Sequence, residues 1–360
     1  MRIAVIAPHI AEDHIADTGL ASTLLLQSLA GQNPANDWNI LTDASFQFAA
    51  PMPSNLRQSL VKGNTGSGLG RLLQQSLHWP NAMKQYQPDI LFCIDFIYPI
   101  KAGRKAYLAL MYFPGILQSE KAKKHLPLYE GIIVFSGYMK QQVLQAFPAM
   151  EGKVTVVAPG VPAGLAPLDW DERQALKQKY ANAAEYFVVV SSIHPKNNII
   201  PLLKAFSAFK KRMRSSMKLV IVGSVSAAGA EIMESLKTYR FRDEVKCLQD
   251  VTAAELSKII AGAYAMVHVA GNDGMALPVY IAAATEVPLV VTNGSAAAEI
   301  GKNGALRVVP GDINDLAEKI GAIYKDEHLR AKILQQLPTG NNFPSWRDAA
   351  NNILETLQEG

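Results

Sequence analysis

The sequence predicts an α/β protein made of two Rossmann-like domains whose parallel sheets face each other across a cleft. Three observations carry that expectation. Short β-rich runs alternate with helical patterns along the whole chain, as they do where helices join parallel strands. Several of these runs, among them FVVVSS, KLVIVG and VPLVVT, are almost continuous in Val, Ile and Leu, the pattern of strands buried on both faces. The 360 residues are long for one α/β core and comfortable for two.

In the first half, strands are expected at Arg2–Ala7, Trp38–Thr42, Asp89–Ile94, Ala106–Met111, Gly131–Phe135 and Lys153–Val157. The stretch Pro51–Arg71, rich in Gly, Ser and Asn, reads as a mobile surface loop. Its Gly66, Gly68 and Gly70 follow no strand and lack a Walker lysine, so it carries little weight as a phosphate loop. APGVPAGLAPLDWDERQ then has the composition of a hinge, which puts the domain boundary near residue 165. The second half restarts the pattern at Tyr186–Ser191, Lys218–Gly223, Val245–Leu248, Ala265–Val269, Pro288–Thr292 and Ala305–Val309. The expected division is 1–165 and 166–344, with a last helix, 345–360, crossing back to the first domain.

Composition excludes several classes. Apolar residues make up 49% and charged residues 18%, which suits well-packed domains and argues against widespread disorder. A net charge of +4 is small for this length and does not point to nucleic acid. Cys93 and Cys247 lie far apart in apolar runs without zinc-type spacing, as buried thiols of a reducing compartment do. MRIAVIAPHI reads as a first strand and not as a secretory leader, and no run approaches the roughly 18 apolar residues of a spanning helix. The expected location is cytoplasmic.

The stretch richest in chemistry is Val267–Pro288, VHVAGNDGMALPVYIAAATEVP. A strand ends, a polar turn follows, and a helix opens with Pro278 in its first turn, where its missing N–H costs nothing. Free amides of Gly274, Met275 and Ala276 at that opening would form an anion site helped by the helix dipole. An ordinary strand-to-helix turn is the alternative.

This stretch resembles the donor-site signature of glycosyltransferase family 4 (the group 1 transferases), E-G-F-G-L-P-x-x-E-A-M-A, laid without gaps on Asp273 to Ala284. EVPLVVTNGSAAAEI is similar to the family's next segment, with Glu299 at its acidic position, and FVVVSSIHPKNNIIPLLKAF to its P-R-K-N loop and helix. Gly19 matches an N-terminal glycine turn, and FPSW the closing F-S-W segment. The resemblance is strong over Tyr186–Asp312 and weak over residues 31–105. It implies the GT-B fold and a hexosyltransferase that retains anomeric configuration without a metal or other cofactor, its nucleotide-diphosphate sugar being a substrate. Lys196 and Asp273 are then the catalytic candidates. Asn197, Gly274, Met275, Ala276, Leu277 and Glu299 become donor-binding candidates. The acceptor would be a glycan, a lipid-linked molecule or a small molecule.

Three departures from the family pattern bear on the donor chemistry. Asn197 replaces the second base of the loop, Asp273 shortens the first acid, and Ile281 stands where an acid binds the nucleotide ribose. Isoleucine accepts no hydrogen bond. Two readings follow: a divergent transferase with relocated donor contacts, or a degenerate homologue that binds a ligand or partner without turning it over.

On the acceptor side, His9 at the end of the first strand and Asp95 after ILFCI could face the cleft, with a solvated loop and a helix cap as their alternatives, and Gly19 is the match in the N-terminal turn. His14 is a loop histidine, His194 neighbours Lys196, and His268 reads as a packed strand residue. Lys101, Arg104, Lys105, Lys121, Lys123, Lys124 and His125 make the first domain locally basic. They suit either solvent or peripheral contact with an anionic membrane on its inner face. The run from Lys210 to Arg214 ends a helix and receives no function.

Overall fold

The computed structural model describes residues 1–7, 18–42, 52–61, 79–100, 105–112, 115–270, 273–338 and 343–359. It divides into two compact units. The first holds Thr18–Gly160 with the strand that precedes it, and takes back Trp346–Gly360; the second is Val161–Ser345.

The first sheet has strands β1 (Arg2–Ile6), β2 (Asp37–Thr42), β3 (Leu56–Leu60), β4 (Ile90–Ile94), β5 (Ala106–Leu110), β6 (Gly131–Val134) and β7 (Val154–Val156). The second has β8 (Tyr186–Val190), β9 (Lys218–Val222), β10 (Val245–Leu248), β11 (Ala265–His268), β12 (Leu289–Thr292) and β13 (Ala305–Val308). Their orders are β3-β2-β1-β4-β5-β6-β7 and β10-β9-β8-β11-β12-β13, and every ladder is parallel. Both units are thus parallel-sheet α/β domains, as the strand patterns predict. The twelve expected strands are found within one residue of their expected ends.

The thirteenth strand corrects the loop expected over Pro51–Arg71. Leu56–Leu60, LRQSL, pairs with β2 at the sheet edge and buries only Leu56. Arg57 and Ser59 are tied to Asp37 and Asn39 of β2 at 2.6 and 2.8 Å. A polar edge strand lacks the apolar alternation by which strands are recognised. Gly66, Gly68 and Gly70 lie outside the described residues.

In the first unit, Leu25, Leu26, Leu29 and Ala30 of the helix Thr18–Gln32 are buried, as are Ala349, Ala350, Ile353 and Leu357 of the helix Trp346–Glu359. These two helices pack on each other. In the second unit the core is aromatic. Phe209 meets Phe187 and Tyr324 edge to face, with centroids 5.4 and 5.3 Å apart, contacts worth about 1 kcal/mol each beyond their burial. Lys210 differs from the exposed basic residues that follow it. It is buried, and its Nζ donates to the Met217 carbonyl at 3.0 Å and to Glu244 at 3.3 Å. Among the described residues no helix is long and apolar enough to cross a membrane.

Candidate functional site

In an open parallel sheet, ligands collect beyond the strand C-termini where the strand order reverses. In the second sheet that point lies between β8 and β11. The loop after β8 carries Lys196, the turn after β11 carries Asp273, and the helix after β12 carries Glu299. The three candidates follow the ends of three neighbouring strands.

The Lys196 loop is braced from beneath. Asn197 is buried, and its amide donates to the Ser192 carbonyl at 3.0 Å and to Ser192 Oγ at 2.8 Å. Asn198, in the left-handed region at φ 57°, donates from Nδ2 to the Val269 carbonyl at 2.8 Å and straps this loop to the end of β11. On the other side Ser226 Oγ donates to the Ile193 carbonyl at 3.0 Å, and a Cβ on Gly229 would lie 1.9 Å from that same oxygen. Two chain segments therefore meet there at backbone distance. Above this base Lys196 is exposed, and its ammonium has no ion pair among the described residues. The loop holds one cation toward solvent at the sheet's reversal point. Asn197, expected to bind donor, gives its amide group to the loop itself. His194 accepts the Lys196 amide at Nδ1, 3.1 Å away, which adds a local tie to the loop.

The turn after β11 corrects a second expectation. Met275 and Ala276 do not offer free amides. Both donate to Oδ1 of Asp273, at 2.9 and 2.7 Å, in the manner of an Asx turn. Met275, Ala276 and Leu277 are buried, and Ala276 sits at φ 54° as the residue before the helix Leu277–Ala284. The carboxylate thus supplies the negative charge that a helix N-terminus favours. Its other oxygen, Oδ2, lies 3.0 Å from Nε2 of His268. Asp273 and His268 are 6% and 2% exposed. The ion-pair distance is short, although neither atom has a well-aligned hydrogen-bond partner. Sequence reading placed His268 in the core but missed its acidic partner. The available signal was a basic residue inside AMVHVA, a strand otherwise apolar on both faces.

Ile281 is fully buried and belongs to the packing of its helix. Tyr280 beside it stacks edge to face on Phe343, centroids 6.0 Å apart. Burial first, and then the nearby Glu299 charge, push its phenol up to about 12. Glu299 itself is exposed in the first turn of the helix Ala296–Gly301.

In the first unit the order reverses between β1 and β4. Gly19 lies in the first turn of the helix after β1, and Asp95 immediately follows β4. Asp95 Oδ1 accepts the amides of Met111 and Tyr112 at 2.8 and 3.0 Å, which ties β4 to the end of β5. This engagement favours a structural role for a residue expected to face acceptor. His9, His14, Lys101 and Arg104 lie outside the described residues. Of the basic set, Lys121 rests over the Phe96 ring at 4.5 Å and Lys123 pairs with Glu120 at 2.6 Å, while Lys105 and Lys124 are exposed.

Comparison with known proteins bears on the family and the fold. Residues 171–337 match the family model described as glycosyl transferases group 1. O-antigen chain mannosyltransferase RfbU of Salmonella typhimurium is 24% identical over 218 residues, 60% of this chain; the match spans about half, 54%, of that relative. Sucrose-phosphate synthase from Thermosynechococcus elongatus superposes with a TM-score of 0.76 at 16% identity, covering 100% of this chain and 98% of the other. Anabaena HepE in complex with UDP and glucose gives 0.72 at 16%, covering 100% of both. At these identities the structural likeness is one of fold, the GT-B fold with its two parallel-sheet domains.

Proposed function

Residues 171–337 are a group 1 glycosyltransferase domain, and from that premise we propose that the chain transfers a hexose from a nucleotide-diphosphate sugar to a glycan, lipid-linked or small-molecule acceptor. The second unit takes the donor and the first the acceptor, and anomeric configuration is retained. The observation that carries this reading is Lys196: an exposed cation without an ion pair among the described residues, held by a braced loop where the second sheet reverses. A diphosphate leaving group develops negative charge, and one preorganised cation there is worth about 3 kcal/mol. Asp273 serves the site by shaping the turn beside that loop. The amides of Met275 and Ala276 are committed to it, so Lys196 bears the larger share of the phosphate charge. No metal takes part; turnover is expected to persist in excess EDTA.

Calorimetric titration of the full chain with UDP-, GDP- and ADP-sugars tests the reading. Binding of one of them, followed by release of its nucleoside diphosphate when acceptor extracts are added, is the expected result. Silence of the whole panel at millimolar ligand would leave the degenerate, non-catalytic homologue as the reading. The basic surface of the first unit suits a peripheral, inner-face contact with anionic membrane, tested by co-sedimentation with phosphatidylglycerol vesicles at low and high salt.

A further inference from the structure

We propose that His268 is a positioning residue: from inside the second sheet it holds the carboxylate of Asp273, and through it the Met275–Ala276 turn that opens the helix Leu277–Ala284. The two side chains are more than nine-tenths buried and stand 3.0 Å apart. A carboxylate anchored only through Oδ1 can rotate and exchange its oxygens; a cationic or N–H partner at Oδ2 fixes its plane. That plane matters because Oδ1 caps two consecutive amides. One of them belongs to Ala276, whose left-handed backbone is costly for a residue with a Cβ. A buried carboxylate also needs its charge balanced. Among the described residues His268 is its one basic partner. The next residue after His268, Val269, receives the Asn198 strap from the Lys196 loop. His268 therefore lies between the two parts of the candidate site, touching the reacting groups of neither.

Any effect on turnover rests on the transferase reading; the effect on the turn does not. Hydrogen–deuterium exchange of the full chain separates the two. In His268→Leu, amides over residues 274–280 are expected to exchange at least tenfold faster than in the unaltered protein, with β8 and β9 as protected as before. His268→Gln, whose side-chain N–H can reach Oδ2, is expected to restore protection. Unchanged exchange in the Leu variant, or equal loss in both variants, overturns the proposal. Should the Leu variant not fold, the imidazole ¹⁵N spectrum of the unaltered protein decides. His268 must keep a proton on Nε2 at pH 8, and its absence overturns the proposal. Calorimetry with UDP-glucose and GDP-mannose then reads the consequence for the site. If either binds, the Leu variant should bind it at least tenfold more weakly and the Gln variant within about threefold of the unaltered protein. Affinity unchanged in the Leu variant overturns the link to the donor site, whereas restored protection in the Gln variant with no binding by the unaltered protein sinks the transferase reading alone.

Discussion

Lys196 and Asp273 stand on neighbouring loops and do opposite things with their charge. The lysine is exposed and makes no ion pair among the described residues, whereas the aspartate is spent within the protein. Substitution should separate them. Lys196→Ala should lower kcat about a hundredfold, the equivalent of roughly 3 kcal/mol at a charged transition state. Its Tm should stay within about a degree or two, because an exposed side chain without an ion pair among the described residues contributes little stability. Steady-state kinetics and a thermal melt read both. Asp273→Ala should do the reverse in emphasis, destabilising the fold by about 2 kcal/mol in a urea titration. It removes two charge-assisted bonds to amides and leaves His268 buried without an acid. The sequence contained the cause of the misread amides. An aspartate two and three residues before the amides it meets is a capping pattern. Spacing alone cannot tell a turn capped by its own side chain from one left open for a ligand.

Among the elements, what was legible follows burial. Strands such as FVVVSS are covered on both faces, so their whole length is apolar and their bounds could be placed. β3 gains its place from ladder bonds and polar ties to β2, which leave no hydrophobic trace. The same limit hid the joint between β8 and the segment after β9, where the close contact is to a backbone oxygen. Gly229→Ala must push that segment off Ile193. It should loosen the Lys196 loop enough to weaken nucleotide-sugar binding about tenfold or more, measured by calorimetry. At the opposite end of this sheet, Glu244 bridges a helix and a strand through Lys210 and Lys218, at 3.3 and 2.9 Å. Burial raises its pKa, but the bond to Lys218 and the Lys210 charge outweigh this and leave it below its ordinary 4.5. A carboxylate with a depressed folded pKa stabilises the fold above pH 4.5, and that contribution is lost as pH falls through the folded value. Urea midpoints from pH 7 to 3 should decline for the unaltered chain. In Glu244→Gln they should start lower and decline less steeply.

For the molecule as a whole, the two-domain fold could be read because each unit repeats one scheme, strand then helix, with a proline- and glycine-rich stretch between. The docking of Trp346–Glu359 on Thr18–Gln32 predicts how the first unit would fail. Ending the chain at residue 345 uncovers the places of Ile353, Leu354 and Leu357, all buried, a loss on the order of 5 kcal/mol. Limited proteolysis should then cut first within Thr18–Gly160, while the second unit keeps its resistance. The cuts would mark which unit depends on the distant helix.

That same docking sets an order of events on the ribosome. The groove that receives Trp346–Glu359 is laid down with the first strands, yet its occupant is translated only after all of Val161–Ser345. At ordinary elongation rates the interval is on the order of tens of seconds. Through it the nascent first unit lacks the cover that Ile353, Leu354 and Leu357 supply in the finished fold, and apolar surface left open in this way is suited to chaperone capture. The second unit, contiguous in sequence, is free to finish folding first.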